Sequence, residues 1–441
     1  MKVSEAEARS LLIASFEAAV QAVRAEALLP PHLPAPPKGR TIVVGAGKAA
    51  ADMAACVERH WPADAALSGL VITRHGHGLS PLPPGEGPGM RERPDKSRRI
   101  EVIEAGHPLP DEAGLAAAGR ILELVASTGP NDHILALISG GGSSLLTLPA
   151  AGLSLDDVRT VGAALLRSGA PIADINTARK HLSRALGGRM AALCRAPVTA
   201  LLLSDVVGDD PAVIASGPFT PDPSTCADAL DVLDRWRIEA PAEVRDYLRL
   251  GIEGRIADTP KPGDACFARI ETHIVGNGRT ALEGAAAFFL RHGIRPVIQG
   301  DQFTGEAREL ALTFASRVRE FRTQGTGPVV LLSGGETQVT VRGQGRGGRN
   351  AEFLLALAID LAGMEGVYAL AADTDGIDGT EDNAGALITP DTLAHARTQG
   401  INPGARLADN DAWEFFNTLG DLLVTGPTRT NANDYRAILI T

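Results

Sequence analysis

Short apolar runs, most of them closed by glycine or a small polar residue, recur along the whole chain: Thr41 to Gly45, Leu67 to Thr73, His133 to Ser139, Val198 to Ser204, His273 to Gly276, Val329 to Ser333, Val367 to Ala371 and Leu422 to Thr425. Their apolar character is near-continuous, so they read as strands buried on both faces, the condition of a parallel sheet. Between them lie Ala-, Leu- and Arg-rich stretches with helical composition and length, among them Ala113 to Ala126, Leu155 to Arg167, Thr280 to His292 and Ala351 to Gly363. Strand and helix in alternation predict an α/β fold, with mainly parallel sheets sandwiched by helices.

A length of 441 residues at ~150 residues per domain favours two domains. The polar, proline-containing stretch Gly254 to Asp264 separates two blocks that each repeat the strand and helix pattern, so the expected domains are 1–253 and 265–441. Pro81 to Arg99 reads as an exposed excursion between strands. Near the start, Leu12, Phe16, Ala19, Val20 and Val23 form the stripe of an amphipathic helix packed on a core rather than a secretory signal. No run approaches the ~18 apolar residues of a membrane span.

The formal net charge of −11 would repel a nucleic-acid backbone but leaves room for a small anionic substrate met by a local cluster of cations and N–H groups. Cys56, Cys194, Cys226 and Cys266 form no C-x-x-C pair, which speaks against a zinc site or a disulfide framework and for a reducing, cytoplasmic setting.

Glycine is 49 of 441 residues, above the ~7% average, and much of the excess follows predicted strands, where open α/β sheets bind ligands. Gly45-Ala-Gly47-Lys48 is a strand, a G-x-G turn and a helix start. It resembles the dinucleotide fingerprint, yet the second strand ends in Thr73-Arg74-His75 where a ribose-binding acid is needed; Arg74 leaves NADP open. Lys48 at a helix N-terminus suits a phosphate or a carboxylate. Ser139-Gly140-Gly141-Gly142-Ser143-Ser144 offers unblocked N–H groups and hydroxyls to phosphate oxygens, and a flexible turn is its bland alternative. Ser333-Gly334-Gly335-Glu336 has the same placement in the second half and adds a carboxylate. Neither loop is a Walker A motif.

Asp205, with Asp209 and Asp210 after it, stands at the end of a strand where a general base or a Mg²⁺ ligand would sit, and Asp373-Thr-Asp375-Gly-Ile-Asp378 repeats the arrangement. An Asx turn is the bland alternative for either cluster. Arg179, Lys180, Arg349 and the adjoining Asn350 supply groups that an acid substrate needs. His75 and His77 read as loop histidines, since no further ligand spacing accompanies them.

Together and in this order, VVGAGKAA, GHPLPDEAG, ISGGGSSLL, INTARKHLS, SDVVGDDPAVIASGP with PDPST, GNGRTAL, SGGET, GGRNAEF, DTDGIDG and TGPTRTNANDY resemble the class II glycerate 2-kinases, the MOFRL family, which also carries an older label of hydroxypyruvate reductase. The resemblance spans almost the whole chain. It implies two α/β/α sandwich domains, the first Rossmann-like, with an active site in the interdomain cleft. It also implies ATP- and Mg²⁺-dependent phosphorylation of the 2-hydroxyl of D-glycerate.

By family position Lys48 and Arg349 are the catalytic cations, suited to neutralising charge on a transferring phosphoryl group. Asp205 is the base or a Mg²⁺ ligand, with Asp375 and Asp378 as further metal candidates. Gly45, Gly47 and residues 139–144 are expected to cradle phosphates, and Arg179, Lys180, Glu336 and Asn350 to hold the substrate. A homodimer is left open; nucleic acid and membrane are not expected as partners. Arg429 departs from the pattern, standing where glycine is usual. The competing readings are an NAD(P)H-dependent hydroxypyruvate reductase and a sugar-acid-binding module without catalysis.

Overall fold

The computed structural model describes residues 4–78, 98–325 and 327–441, and the expected excursion at Pro81 to Arg99 lies almost wholly outside them. The chain divides into two compact units, one of residues 28–204 and 209–275, the other of 1–27, 205–208 and 276–441. The expected boundary at 254–264 is therefore corrected: that stretch stays with the N-terminal unit, and the division falls after Val275. The first helix and the tetrapeptide Asp205–Gly208 belong to the C-terminal unit, which no local composition could reveal.

In the N-terminal unit six strands, β1 (Thr41–Ala46), β2 (Leu67–Arg74), β3 (Ile100–Ala105), β4 (His133–Ser139), β5 (Val198–Leu203) and β6 (Ile270–Gly276), form one sheet in the order β3-β2-β1-β4-β5-β6. The ladders β2–β3, β1–β2, β1–β4 and β4–β5 are parallel, as expected. Every residue of β1 and β5 is buried, the consequence of their unbroken apolar sequence. This order reverses between β1 and β4, so the loops after these two strands diverge and open a crevice at their carboxyl ends. Gly45 lies between Val71 and Leu137 in the two ladders, and a Cβ there would fall on the Leu137 carbonyl oxygen. Its glycine serves strand packing.

The helix Leu155–Ser168 starts at a capping box, Ser154 with Asp157, and stops at Gly169 in the left-handed region (φ 74°). Its Val161 and Leu165 pack with Ile175, Ala178 and Leu182 of the next helix and with Val232 and Leu233 in a satellite core.

The C-terminal unit carries β7 (Arg295–Phe303), β8 (Val329–Gly335), β9 (Val367–Asp373), β10 (Gly385–Ile388), β11 (Leu422–Leu423) and β12 (Asp434–Ile440), ordered β11-β10-β9-β12-β8-β7. The α/β class holds here too, but this sheet is mixed. β7 pairs parallel with β8, whereas β12 runs antiparallel to both β8 and β9, and β10 antiparallel to β9 and β11. Four strands thus share a direction, and β10 and β12 oppose them. β12 escapes a sequence reading because it opens with Asp434-Tyr-Arg436, yet all seven of its residues are buried. β7, with Pro296 and Gly300 and a shifting register, has the broken pattern of an edge strand,. The helix Arg349–Leu361 is buried almost all round, from Ala351 to Ala358 without a break. Its sequence of Phe, Leu and Ala is what a core helix requires.

The first helix, Glu5–Ala22, is capped by Ser4, and its expected stripe (Leu12, Phe16, Ala19, Val20) is buried. Burying a Leu or Phe contributes about 1.5–3 kcal/mol each. Tyr435 of β12 donates its hydroxyl to Ser15 Oγ at 2.8 Å, and Thr430 donates to the Val23 carbonyl at 2.6 Å, fixing the helix to the C-terminal unit.

Candidate active site

In the N-terminal unit the loops after β1 and β4 meet as the sequence predicts, but their roles differ from expectation. The Gly47 N–H donates to Ile72 O (3.1 Å), the Lys48 N–H to Gly140 O (2.9 Å) and the Ala49 N–H to Ser139 Oγ (3.0 Å). The amides of the G-x-G turn are therefore spent within the protein, which corrects the phosphate-cradling role given to Gly45 and Gly47. Gly47 (φ 139°) is glycine because a Cβ would strike Ser139. What the turn presents is the Lys48 side chain, whose Cγ would lie 3.6 Å from a Cβ on Gly141.

The β4 loop is different. Gly141 adopts φ 80° and a four-residue helical turn, Gly142–Leu145, follows it. The N–H groups of Gly142, Ser143 and Ser144, in the first turn of that helix, meet no acceptor among the described residues,. The hydroxyls are less available: Ser139 accepts from Ala49, Ser144 donates to Gly141 O (3.1 Å), and Ser143 lies 2.8 Å from Ser216 Oγ. Ser216, itself bonded to Asn176 Oδ1 (3.1 Å), follows Ala215, and both take left-handed backbone (φ 54° and 50°). Such strain persists where the surroundings over-determine it. Here a Cβ on Gly142 would stand 2.6 Å from Ala215 Cβ, so the two segments require each other. Asn176 and Ser216 were missed as site residues, since only their distant neighbours give them a role.

Lys180 is the second correction. Its side chain is 9% exposed and its Nζ lies 3.5 Å from Asp222, while His181, fully buried, places Nε2 2.9 Å from Asp258. Burial would raise the Asp258 pKa, but the His181 hydrogen bond and the Thr259 N–H outweigh it and hold the carboxyl below its usual range. These charges brace the helix Ile172–His181 rather than face a substrate. Arg179 differs: it lines a cavity shared with Ser143 and Ser144, and burial lowers its pKa. His75 sits 3.1 Å from Asp111, and His77 Nδ1 3.3 Å from the Lys48 carbonyl, so both act as loop residues.

The C-terminal unit gathers its polar groups where β8 and β9 end and β12 begins. Arg349, the first residue of its helix, donates from Nε to Asp434 Oδ1 (2.7 Å) and from Nη2 to Asp373 Oδ2 (2.8 Å), with Nη1 3.5 Å from Glu336. Burial works against this charge, but Asp434, Asp373 and Glu336 outweigh it and hold the guanidinium firmly protonated. Asp434, fully buried, also receives Arg436 and the Asn350 side-chain amide (2.8 Å). Burial alone would raise its pKa; Arg349 and Arg436 pull it below the ordinary value. Asp434 lies within the TGPTRTNANDY segment and Arg436 directly follows it, yet the sequence reading gave neither a role.

Asn350 is wholly buried; its Nδ2 donates to Asp378 and Asp434, while its Oδ1 meets no donor among the described residues. Asp378 accepts from the Asn350 N–H (3.0 Å) and the Ala351 N–H (2.8 Å), capping the helix; burial pushes its pKa up to about 6 despite those bonds. Both of its oxygens thus serve the start of the helix. Asp375 accepts from the Ile377 N–H (2.8 Å). Asp205 Oδ2 accepts from Asn431 Nδ2 (2.7 Å), and Asn433 donates to the Asp205 carbonyl, so 205–208 is tied to the segment before β12. The Thr374 N–H donates to Asn433 O (3.0 Å) and thereby places Asp205 and Asp375 in one neighbourhood. Asp210 accepts from the Ala212 N–H in an Asx turn,.

The four cysteines are all free. Among the described residues no helix is long and apolar enough to cross a membrane.

These features define the class: an α/β protein, doubly wound in its N-terminal unit, with cations and carboxylates collected at strand ends and helix starts. Within that class, the model described as a domain of unknown function (DUF4147) matches residues 11–249, and the MOFRL family model matches 329–434. The chain is 38% identical to a D-glycerate 2-kinase of Thermotoga maritima over 97% of this chain and 97% of that one. It is 47% identical to an Agrobacterium vitis protein named putative hydroxypyruvate reductase, over 100% of this chain and 96% of the relative. The crystal structure of a glycerate kinase from Thermotoga maritima superposes with a TM-score of 0.84 at 38% identity, covering 98% of this chain and 99% of that one. The chain belongs to the MOFRL family of glycerate 2-kinases.

Proposed function

We propose that this chain transfers the γ-phosphoryl group of ATP to the 2-hydroxyl of D-glycerate, giving ADP and 2-phosphoglycerate. One observation carries the reading: Lys48 stands beside a glycine loop whose Gly142, Ser143 and Ser144 amides are open to phosphate oxygens, while the dinucleotide-like turn has no amides to give. The same observation disfavours hydride transfer from NAD(P)H, despite the name carried by the 47% identical relative. With the turn's donors occupied and Arg74 at the end of β2, neither the pyrophosphate nor an unphosphorylated ribose finds its usual contacts.

In the transfer, a bond forms between the glycerate 2-oxygen and the γ-phosphorus, the bond from that phosphorus to the β,γ-bridging oxygen breaks, and the hydroxyl proton passes to Asp205. Asn431 orients the Asp205 carboxylate for that role. Lys48 neutralises charge on the transferring group, and Arg349 turns its Nη1 edge toward the partly exposed Glu336 side,. Glu336 accepts a hydrogen bond from a glycerate hydroxyl. Mg²⁺ suits carboxylate oxygens such as those of Asp375, which would hold it, and it would offset phosphate charge.

The test is a coupled assay of the purified protein with D-glycerate, ATP and Mg²⁺, run beside hydroxypyruvate with NADH and NADPH, with the product isomer identified by ³¹P NMR. ADP with 2-phosphoglycerate supports the kinase. Nucleotide oxidation without ADP overturns it.

A further inference from the structure

Away from its strand ends, the N-terminal unit draws Lys180, His181, Asp222, Cys226 and Asp258 together. They come from three segments: the end of the helix Ile172–His181, the turn Asp222-Pro-Ser-Thr-Cys226 that opens the helix Cys226–Arg235, and the polar stretch 254–264. The first four are buried, and Asp258, 27% exposed, opens the cluster to solvent. His181 Nε2, Cys226 Sγ and an Asp258 carboxylate oxygen lie within 4.8 Å of one another. Phosphoryl transfer uses none of them.

Two observations show that ion pairs alone leave this cluster incomplete. His181 Nδ1 lies 2.9 Å from the Thr177 carbonyl, which can only accept, so Nδ1 carries the ring proton,. Nε2 then turns its lone pair toward two acceptors, Asp258 Oδ1 at 2.9 Å and Asp222 Oδ2 at 4.0 Å, with the Thr259 hydroxyl at 3.5 Å. A positive centre is required there, either a second proton or a metal ion. The other observation is Asp222, whose side chain is 1% exposed. Its Oδ1 accepts from the Ser224 N–H (3.2 Å) and hydroxyl (2.7 Å) and lies 3.5 Å from Lys180 Nζ. Its Oδ2 has no hydrogen-bond partner among the described residues. Leaving such an atom dry and unpaired costs stability. A proton on Nε2 answers Asp258 and leaves Asp222 Oδ2 bare, whereas a metal ion answers both and takes the thiol as well.

We propose that His181 Nε2, Cys226 Sγ, Asp258 and Asp222 Oδ2 bind one Zn²⁺. Imidazole, thiolate and carboxylate are the donors of four-coordinate zinc, and the thiolate selects against Mg²⁺ and Ca²⁺. Zinc bonds of about 2.0–2.3 Å set ligand atoms about 3.3–3.8 Å apart. Cys226 Sγ and Asp258 Oδ1 are 3.5 Å apart, and the His181 contacts need shifts of about half an ångström. The outer partners are in place. The Thr177 carbonyl fixes the ring, the Cys226 N–H holds Asp258 Oδ2 at 3.2 Å, and Lys180 and Lys261, the latter 3.6 Å from Asp258, offset the negative charge. On binding, the Cys226 thiol releases its proton to solvent, so affinity rises with pH. The ion clamps the stretch 254–264 to the helix that carries Asn176 and Arg179. No ligand spacing announces it in the sequence, because its donors lie on three separate segments.

The test uses the full-length chain, stripped with a chelator and titrated with Zn²⁺ and with Co²⁺, beside Cys226→Ser and Asp258→Asn. Wild type is expected to bind one ion per chain and to show the visible bands of four-coordinate cobalt with a thiolate-to-cobalt band in the ultraviolet. It should melt about 5–10 °C higher at a zinc concentration about 100 times its Kd. Cys226→Ser loses the thiolate band although Cys56, Cys194 and Cys266 remain, and it binds zinc at least about a hundredfold more weakly. Asp258→Asn keeps the thiolate band and binds zinc at least about tenfold more weakly. No readout depends on the kinase reading.

Zinc bound equally by wild type and both variants is an adventitious ion only and overturns the proposal. So does a wild type that gives no thiolate-to-cobalt band and melts alike with and without zinc, in which case a proton holds His181 Nε2 against Asp258. If Cys226→Ser does not fold, Asp258→Asn, at a partly exposed position, decides: unaltered zinc affinity there overturns the proposal.

Discussion

Asp434→Asn tests the central claim about the C-terminal unit, that one buried carboxylate holds two guanidinium groups in place. Asp434 and Arg436 are both fully buried, and Asp434 also accepts the Arg349 Nε at 2.7 Å. Asparagine keeps the shape and one acceptor but removes the charge, leaving Arg436 buried without a countercharge and Arg349 with Asp373 as its nearest ionic partner. Breaking a buried pair in this way costs about 3–5 kcal/mol. At about 2–4 °C per kcal/mol for a unit of this size, the melting temperature should fall by roughly 6–20 °C.

The pH dependence has a definite sign. The Asp434 pKa is depressed by Arg349 and Arg436 against burial. Its stabilisation is therefore present above the unfolded value of about 3.9 and is lost as pH falls toward the folded value. Acidification should destabilise wild type more than Asp434→Asn. The assay is calorimetric or circular-dichroism melting from neutral pH down to about pH 2, below the unfolded value of about 3.9, with Arg436→Met and the double variant alongside. Removing both charges should recover about 1–3 kcal/mol relative to the two single losses added together. A single variant melting within about 2 °C of wild type, or strict additivity in the double variant, would refute the reasoning.

Lys48→Ala should lower kcat by about 10²–10³-fold with little change in melting temperature, because the backbone bonds of Lys48 remain; ADP release and a thermal melt together check this. Asp205→Asn should reduce kcat by about 10²–10⁴-fold and flatten the acidic limb of the kcat/KM profile, and retention of that limb would remove Asp205 as the base. Arg429→Gly should stabilise the protein: Arg429 has φ 64°, a conformation costing a side-chain-bearing residue about 1–2 kcal/mol. The greater freedom of glycine in the unfolded chain returns about 0.4–1 kcal/mol, so a net gain near 0.5–1 kcal/mol is expected as a rise of a few degrees in a melting scan.

The local part of this structure is legible in the sequence because its causes are local. Unbroken apolar runs become buried strands, Ser154 with Asp157 starts a helix and Gly169 stops it, and Gly141 permits the left-handed turn that opens the phosphate loop. The resemblance of the ordered motifs to glycerate 2-kinases likewise needed no coordinates. What tertiary structure alone decided are facts that depend on partners far along the chain. Arg349 meets Asp434, 85 residues on, and Lys180 is drawn inside by Asp222, so two cations that the sequence offers to an acid substrate have different fates. The amides of Gly47 and Lys48 turn inward because Ile72 and Gly140 supply acceptors, whereas those of Gly142 to Ser144 meet no acceptor among the described residues. The first helix joins the C-terminal unit, and β12, polar at its start, lies at the centre of the second sheet. Sequence specifies which groups a strand end can offer; hydrogen-bond satisfaction and the cost of burying charge, settled only when distant segments pack, select those that remain for a ligand.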